Sequence, residues 1–320
     1  MRIHDGSPGA RILAFGEYQP AKVVTNDDLA GLVDTSDEWI RSRVGIASRR
    51  LAAPDETVAD MAVAAAGKAL AASGLPAGDI DLVIVATCTP ETLIPNTAAV
   101  VATRLGIAAP GAYDLNAACA GFCYALAAAS DAVRAGSARH VLVIGAEKLS
   151  QWVDWTDRST CIIFADGAGA AVVGPAGAGE AGIGPVVWGS DGGMADKIYI
   201  KDRDSFIVQD GQAVFRWATT ALHPVAARAC EEAGVEPGEL AAFVPHQANL
   251  RIIEALARRL GAPQAKVATD IVTAGNTSSA SIPLALARMT GRGELASGDK
   301  ALLIGFGAGV CYAAQVITIP

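Results

Sequence analysis

The sequence predicts an α/β protein assembled from two related halves, and three observations carry that prediction. Short apolar runs of strand length, such as residues 81–86 (Asp-Leu-Val-Ile-Val-Ala) and 140–145 (His-Val-Leu-Val-Ile-Gly), alternate with Ala-rich stretches of helical length. Buried strands separated by helices imply a largely parallel sheet. Residues 64–84 are echoed by residues 224–244, with Gly74 matching Gly234 and Gly78 matching Gly238 at an offset of 160, half the chain. The last segments of each half also correspond, Phe164-Ala-Asp-Gly-Ala-Gly-Ala against Gly305-Phe-Gly-Ala-Gly-Val. Two halves, 1–175 and 176–320, are therefore expected, joined within the Gly-rich stretch 174–185.

The elements follow in order. Residues 10–24 read as a strand and turn. The run Asp34-Thr-Ser-Asp-Glu-Trp-Ile-Arg-Ser-Arg predicts a short helix capped by Ser36 or Asp37, with Trp39 and Arg43 four apart on one face. Residues 56–73 predict a strong helix stopped by Gly74-Leu-Pro, and 81–86 a buried strand. A helix over about 96–105 follows, then a longer one starting around Cys119, then the strand from 140. Residues 160–174 read as two strands around a Gly-rich turn. Residues 186–210 break the repeat and carry Asp191, Asp196, Lys197, Lys201, Asp202, Arg203 and Asp204, which predicts an inserted surface loop or hairpin.

Composition narrows the function. Hydrophobic residues make up 52% of the 320 and charged residues 18%, enough for a large core and contrary to disorder. No apolar run reaches about 18 residues, so no membrane span is expected. The N-terminal residues lack an apolar signal core, so secretion is not expected. Cys88, Cys119, Cys123, Cys161, Cys230 and Cys311 are scattered without a Cys-x-x-Cys pair, which fits reduced cytoplasmic thiols. The histidines form no metal-spaced cluster, and no metal is expected. A net charge of −8 argues against nucleic acid as a partner.

The chemistry gathers around residues 113–129. Cys119 is expected beside a helix N-terminus, where unpaired N–H groups and the helix dipole should make its thiol ionise more easily than a free one. Surrounding Ala and Gly leave room for an acyl group, which suits a nucleophile that accepts one. A small buried core cysteine would fit this stretch equally well. The repeat adds two partners. His246 lies 160 residues after the strand end at Ala86, and Asn276 lies close to position 279, 160 residues after Cys119. Cys119, His246 and Asn276 are thus expected at the ends of inner elements.

Five stretches in order carry a resemblance: Thr35-Ser-Asp-Glu-Trp-Ile, Ala117-Ala-Cys-Ala-Gly-Phe, Val244-Pro-His-Gln-Ala-Asn-Leu-Arg-Ile, Gly275-Asn-Thr-Ser-Ser-Ala-Ser and Gly305-Phe-Gly-Ala-Gly. With them the chain resembles the β-ketoacyl-acyl carrier protein synthases III, initiating condensing enzymes of the thiolase-like superfamily. The resemblance implies a five-layered αβαβα fold and a homodimer. It implies acyl-CoA as first substrate and malonyl-acyl carrier protein as second, with no separate cofactor. By the same resemblance Cys119 carries the acyl group, and the backbone N–H groups of Cys119 and Ala308 bind the oxyanion. Many relatives have Gly at position 308, but a backbone donor tolerates Ala if its φ and ψ are allowed. Decarboxylation builds an enolate, which suits neutral donors at His246 and Asn276. Phe306 resembles the family aromatic near the nucleophile. Trp39 and Arg158 are expected to sandwich the adenine. Arg43, Arg216, Asn249 and Arg251, and more loosely Gln212, match positions near the coenzyme phosphate or a docking patch for an acidic carrier protein. Ile94, in Thr92-Leu-Ile-Pro-Asn, matches the tip that closes the partner subunit's acyl pocket.

Competing readings remain open at this point. A priming synthase or acyltransferase of a polyketide pathway would show the same residues. A chalcone-like synthase is generally longer. A thiolase needs a second catalytic Cys just before the last Gly-rich loop, where this chain has Ile304, Gly305 and Phe306. Elongating synthases use Cys-His-His, against Asn276 here. A non-catalytic partner subunit of the same fold is expected to lack Cys119.

Overall fold

The computed structural model describes residues 6–180 and 182–320. Residues 1–5 and Ala181, which falls in the predicted junction 174–185, lie outside the described residues. Ten strands form two five-stranded sheets. The first holds β1 (Gly9–Tyr18), β2 (Leu82–Ala86), β3 (Gly111–Leu115), β4 (Val141–Lys148) and β5 (Asp166–Ala176), in the order β1-β5-β4-β2-β3. The second holds β6 (Val187–Ser190), β7 (Leu240–Pro245), β8 (Lys266–Val267), β9 (Lys300–Gly307) and β10 (Cys311–Thr318), in the order β6-β10-β9-β7-β8. Each order becomes the other on adding five. In each sheet the second strand runs parallel to the third and fourth, and the fifth runs antiparallel to the first and fourth.

Alternation along the inner strands decides the layering. Side chains on successive strand residues point to opposite faces. In β2, Ile84 and Ala86 join a central core, while Val83 and Val85 join an outer one. In β9, Ala301 and Leu303 face the same central core, while Leu302 and Ile304 face a third. The central layer is filled by α4 (Gly121–Ala135) and α7 (Ser281–Gly291), which contribute Phe122, Leu126, Ile282 and Leu286. Helix α2 (Val58–Ser73) and α3 (Thr97–Arg104) cover the outer face of the first sheet. Helix α5 (Gly211–Ala233) and α6 (Leu250–Leu260) cover that of the second. The result is the expected stack of helix, sheet, helix, sheet, helix. The glycines that mark the repeat have one job in both halves: Gly74 (φ 70°) and Gly234 (φ 63°) close α2 and α5 in the left-handed conformation that glycine adopts without strain.

The short helix α1 (Asp37–Val44) starts as predicted, with Ser36 Oγ accepting from Trp39 N. Two expectations are corrected. The Gly-rich stretch 160–174 is not two strands around a turn; a helical turn (Arg158–Cys161) leads into the single strand β5. Its glycines serve close packing, because a Cβ on Gly169 would lie 2.5 Å from Leu284 N of α7. Residues 186–210 are likewise more than a surface insertion. They begin with β6, an edge strand of the second sheet, and continue into a small hairpin, Ile198–Tyr199 with Val208–Gln209.

Candidate active site

Both halves build the same device, a 3-10 turn leading into a central helix. Ala118–Ala120 precedes α4, and Ser278–Ala280 precedes α7, again 160 residues apart. Ala118 (φ 47°) and Ser278 (φ 50°) hold equivalent positive φ values that non-glycine residues seldom adopt. The halves then exchange supports. A Cβ on Gly305 of β9 would sit 2.9 Å from Ala120 Cα, and one on Gly307 would sit 2.6 Å from Cys119 N. On β4, a Cβ on Gly145 would sit 2.4 Å from Ser279 O. Each sheet therefore cradles the turn that belongs to the other half.

This arrangement brings Cys119, His246 and Asn276 to the wall of one cavity of about 720 Å³. His246 immediately follows β7, as the offset from Ala86 predicts, and its N–H donates to Ile304 O at 2.8 Å. Asn276 is pinned on both sides: its N–H donates to Ile163 O, and its carbonyl accepts from Ala165 N. Gly275 (φ 73°) permits that contact, since a Cβ there would lie 2.7 Å from Ala165 Cβ.

Hydrogen bonds orient both polar side chains. Asn276 Oδ1 accepts from Ser278 N at 2.9 Å, which leaves its amide N–H₂ free to donate. Ser281 Oγ accepts from Gln247 N and lies 2.7 Å from His246 Nδ1. The Ser281 hydroxyl proton therefore points to Nδ1, and the imidazole carries its own proton on Nε2. Burial holds the His246 pKa down at about 3, so the ring is neutral, and Phe306 packs edge-on against it at 5.2 Å.

The expectation for Cys119 is corrected. Its turn precedes the helix, whose first residue is Gly121, and burial pushes the thiol up to about 12. Loss of water outweighs the helix end, so the thiol rests protonated. The condition set for Ala308 is met: it lines the cavity beside Cys119 and is not among the non-glycine residues with positive φ.

At the mouth, Trp39, Arg43, Gln212, Arg216, Asn249 and Arg251 all line the cavity. Arg43 lies 5.4 Å above the Trp39 ring, as their spacing predicts. Arg158 is not held apart to leave a slot; it lies directly on the Trp39 ring at 4.6 Å, its guanidinium donating to Asp34 O. Asn249 caps α6, accepting from Arg251 N and donating to Arg43 O. Ile94 does not reach the cavity of its own chain: it is 88% exposed, beside Leu93 at 83%. Sequence reasoning missed Cys88, Ser278, Ile198, Ile200 and Ile207, all in the wall. The signal for the isoleucines was their presence inside a charged segment; Cys88 and Ser278 gave none.

A thiol, a neutral imidazole and an oriented amide on this duplicated fold make up a thiol-dependent acyl-transferring enzyme. Comparison with known proteins agrees. The family model described as 3-oxoacyl-[acyl-carrier-protein (ACP)] synthase III matches residues 113–192, and the model of its C-terminal part matches residues 230–319. The chain is 58% identical over 313 residues to beta-ketoacyl-[acyl-carrier-protein] synthase III 4 of Streptomyces coelicolor, covering 98% of this chain and 99% of the relative. It is 50% identical over 328 residues to the mycobacterial beta-ketoacyl-[acyl-carrier-protein] synthase III of Mycobacterium avium, covering 98% and 97%. Among solved structures, the priming beta-ketosynthase from the R1128 polyketide biosynthetic pathway superposes with a TM-score of 0.96 at 44% identity, covering 100% of this chain and 98% of that one. The 3-oxoacyl-[acyl-carrier-protein] synthase III from Aquifex aeolicus gives 0.93 at 41%, covering 97% and 100%. The chain belongs to the 3-oxoacyl-[acyl-carrier-protein] synthase III family.

Proposed function

We propose that the protein condenses an acyl-CoA starter with malonyl-acyl carrier protein, releasing carbon dioxide and forming a 3-oxoacyl-acyl carrier protein through an acyl group held on Cys119. The observation that carries this reading is the convergence of Cys119, His246 and Asn276 on one cavity, with both nitrogen side chains presenting N–H groups. The Cys119 sulfur attacks the thioester carbonyl, and the backbone N–H groups of Cys119 and Ala308 stabilise the oxyanion. After the coenzyme leaves, the malonyl thioester occupies the same space. Loss of carbon dioxide places negative charge on the thioester oxygen, where His246 Nε2–H and Asn276 Nδ2–H donate. A ring that stays neutral down to a pH of about 3 suits that role, because it donates without needing to be charged.

Trp39 and the arginines at the mouth supply a stacking surface and positive charge for a nucleotide phosphate or an acidic carrier protein. The exposed Leu93 and Ile94 suit burial against a second copy of the chain. A priming role in a polyketide pathway would use the same residues, and the likeness to the R1128 priming enzyme favours keeping it as the second reading.

The test is acyl-enzyme mass beside condensation rate. Cys119→Ala should gain no acyl group from acyl-CoA. Asn276→Ala should gain it and lose condensation by a few hundredfold, about 3–4 kcal/mol if the enolate donor matches an oxyanion donor. Condensation at the normal rate by Cys119→Ala would refute the reading. Offering mixed acyl-CoA esters in the same assay identifies the starter and separates the two pathway readings.

A further inference from the structure

Glu147 is a buried carboxylate that the chemistry above leaves unused. It lies near the end of β4, fully inaccessible, below the loop that follows β2 and the turn that precedes α7. Its two oxygens are bonded differently. Oε2 accepts from Thr89 Oγ1 at 2.7 Å, Cys88 N at 3.1 Å and Thr87 Oγ1 at 3.2 Å, and is saturated. Oε1 faces Ser279 Oγ at 2.9 Å and Ser278 Oγ at 3.0 Å. Ser279 Oγ also lies 2.8 Å from Ala86 O, to which it can only donate, so its oxygen is free to accept from a proton on Oε1. A proton can rest on Oε1 without leaving any group there unpaired.

Ser278 stands between this carboxylate and the nucleophile. Its hydroxyl is the side chain that favours the ionised form of the Cys119 thiol. Thiol and hydroxyl face each other without closing a strict hydrogen bond, a looseness common in catalytic pairs before substrate arrives. The strained φ of 50° at Ser278 directs this short contact and is the twin of Ala118, the residue before the nucleophile. His246 is a weak competitor for the thiol proton, since burial depresses its pKa and Ser281 already engages Nδ1.

We propose that Ser278 relays the proton of the Cys119 thiol to Glu147 as the sulfur attacks the thioester. The inference rests on the acyl-transfer reading above. The S–H bond of Cys119 breaks while Sγ bonds to the carbonyl carbon. Ser278 Oγ takes that proton and passes its own to Glu147 Oε1. When the tetrahedral intermediate collapses, the bond from carbon to the departing sulfur breaks. The proton returns through Ser278 to the departing thiolate, and Glu147 is again a carboxylate. Ser278 is then a catalytic residue and Glu147 a positioning residue that acts through it.

Burial raises the Glu147 pKa above the usual carboxylate range, which strengthens it as an acceptor. The titratable groups facing it are Cys88 and Cys119. The loop 87–89 and the turn 278–279 otherwise offer it only hydroxyls and N–H groups. Lys148, next along the strand, directs its ammonium to the carbonyls of Ala53, Pro54 and Glu56. Asp166, which pairs with Lys148 across the sheet, is bonded to Ser150 and Ala52.

The test follows acylation of Cys119 by acetyl-CoA with rapid quench and intact mass, from about pH 6 to 9. Alkylation of Cys119 by iodoacetamide, read by peptide mass, runs in parallel and needs no thioester recognition. An internal transfer leaves the net charge unchanged, so wild-type acylation should be nearly flat with pH. Glu147→Gln and Ser278→Ala should be about 100-fold slower at pH 7. Their rates should climb about tenfold per pH unit, because the thiol must then lose its proton to solvent. Glu147→Asp should recover part of the rate and the flat profile. Variants that are slower yet keep the flat profile would overturn the relay and leave Glu147 a purely structural group. If Glu147→Gln does not fold, Ser278→Ala decides alone, since it removes one oxygen. If acetyl-CoA fails to acylate the wild type, the acyl-CoA reading fails, and the same comparison of slopes with iodoacetamide still decides the relay.

Discussion

Trp39 and Arg158 show how much a single contact can settle. Their sequence separation says nothing of contact, yet the guanidinium lies 4.6 Å over the indole ring, so an adenine entering there must lift Arg158 or stack beside it. Stacking of a base on an aromatic side chain is typically worth about 1–3 kcal/mol. Trp39→Ala should therefore raise KM for acyl-CoA about 5- to 150-fold, while kcat/KM for a short pantetheine thioester stays nearly unchanged. Steady-state kinetics with both substrates checks this, and an equal loss with both would remove the adenine role. Cys119 makes the opposite point: the residue was legible from its small neighbours, but its protonation was not, because burial depends on what the rest of the chain places over it.

At the scale of elements, the exchange of supports between the halves governs the geometry of the nucleophile. Gly307 ends β9 directly against Cys119, and the added methyl of Gly307→Ala would have to displace the turn Ala118–Ala120. Overpacking of this kind costs about 1–3 kcal/mol in stability. A shift of about 1 Å at the sulfur costs on the order of 100-fold in rate. Gly307→Ala should thus fold, melt a few degrees lower and acylate about 100-fold more slowly. Thermal melting and burst-phase acylation measure the two effects, and an unimpaired burst would mean that the cradle does not set the position of the sulfur. The repeat was readable at this scale because helix-ending glycines are fixed by local backbone demands. The glycines of β5 were misread as a turn because their requirement is tertiary, the approach of α7.

For the whole molecule, the exposed tip of Leu93 and Ile94 is the feature that a single chain leaves unexplained. Burying one such side chain contributes about 1.5–3 kcal/mol, and replacing it with a carboxylate adds a desolvation cost. The wild type should sediment as a dimer of the 32.5 kDa chain. Ile94→Asp should weaken self-association at least about tenfold, in the range 10- to 150-fold. Analytical ultracentrifugation across a dilution series checks it, and an unchanged dissociation constant would place the dimer contact elsewhere.

The sequence by itself determined the alternation of strands and helices, the duplication at an offset of 160, and the placement of His246 and Asn276 near equivalent strand and turn ends. These are legible because periodicity, capping and left-handed glycines act over a few residues, and a repeat copies them. Only the tertiary structure decided that Ile198, Ile200 and Ile207 line the cavity, that Arg158 covers Trp39, and that Glu147 lies behind the nucleophile through Ser278. Those relations join residues some 70 to 130 positions apart, and they arise because each sheet supports the turn of the other half. No local pattern records which buried carboxylate will face which serine; the packing of two sheets around one central helical layer does.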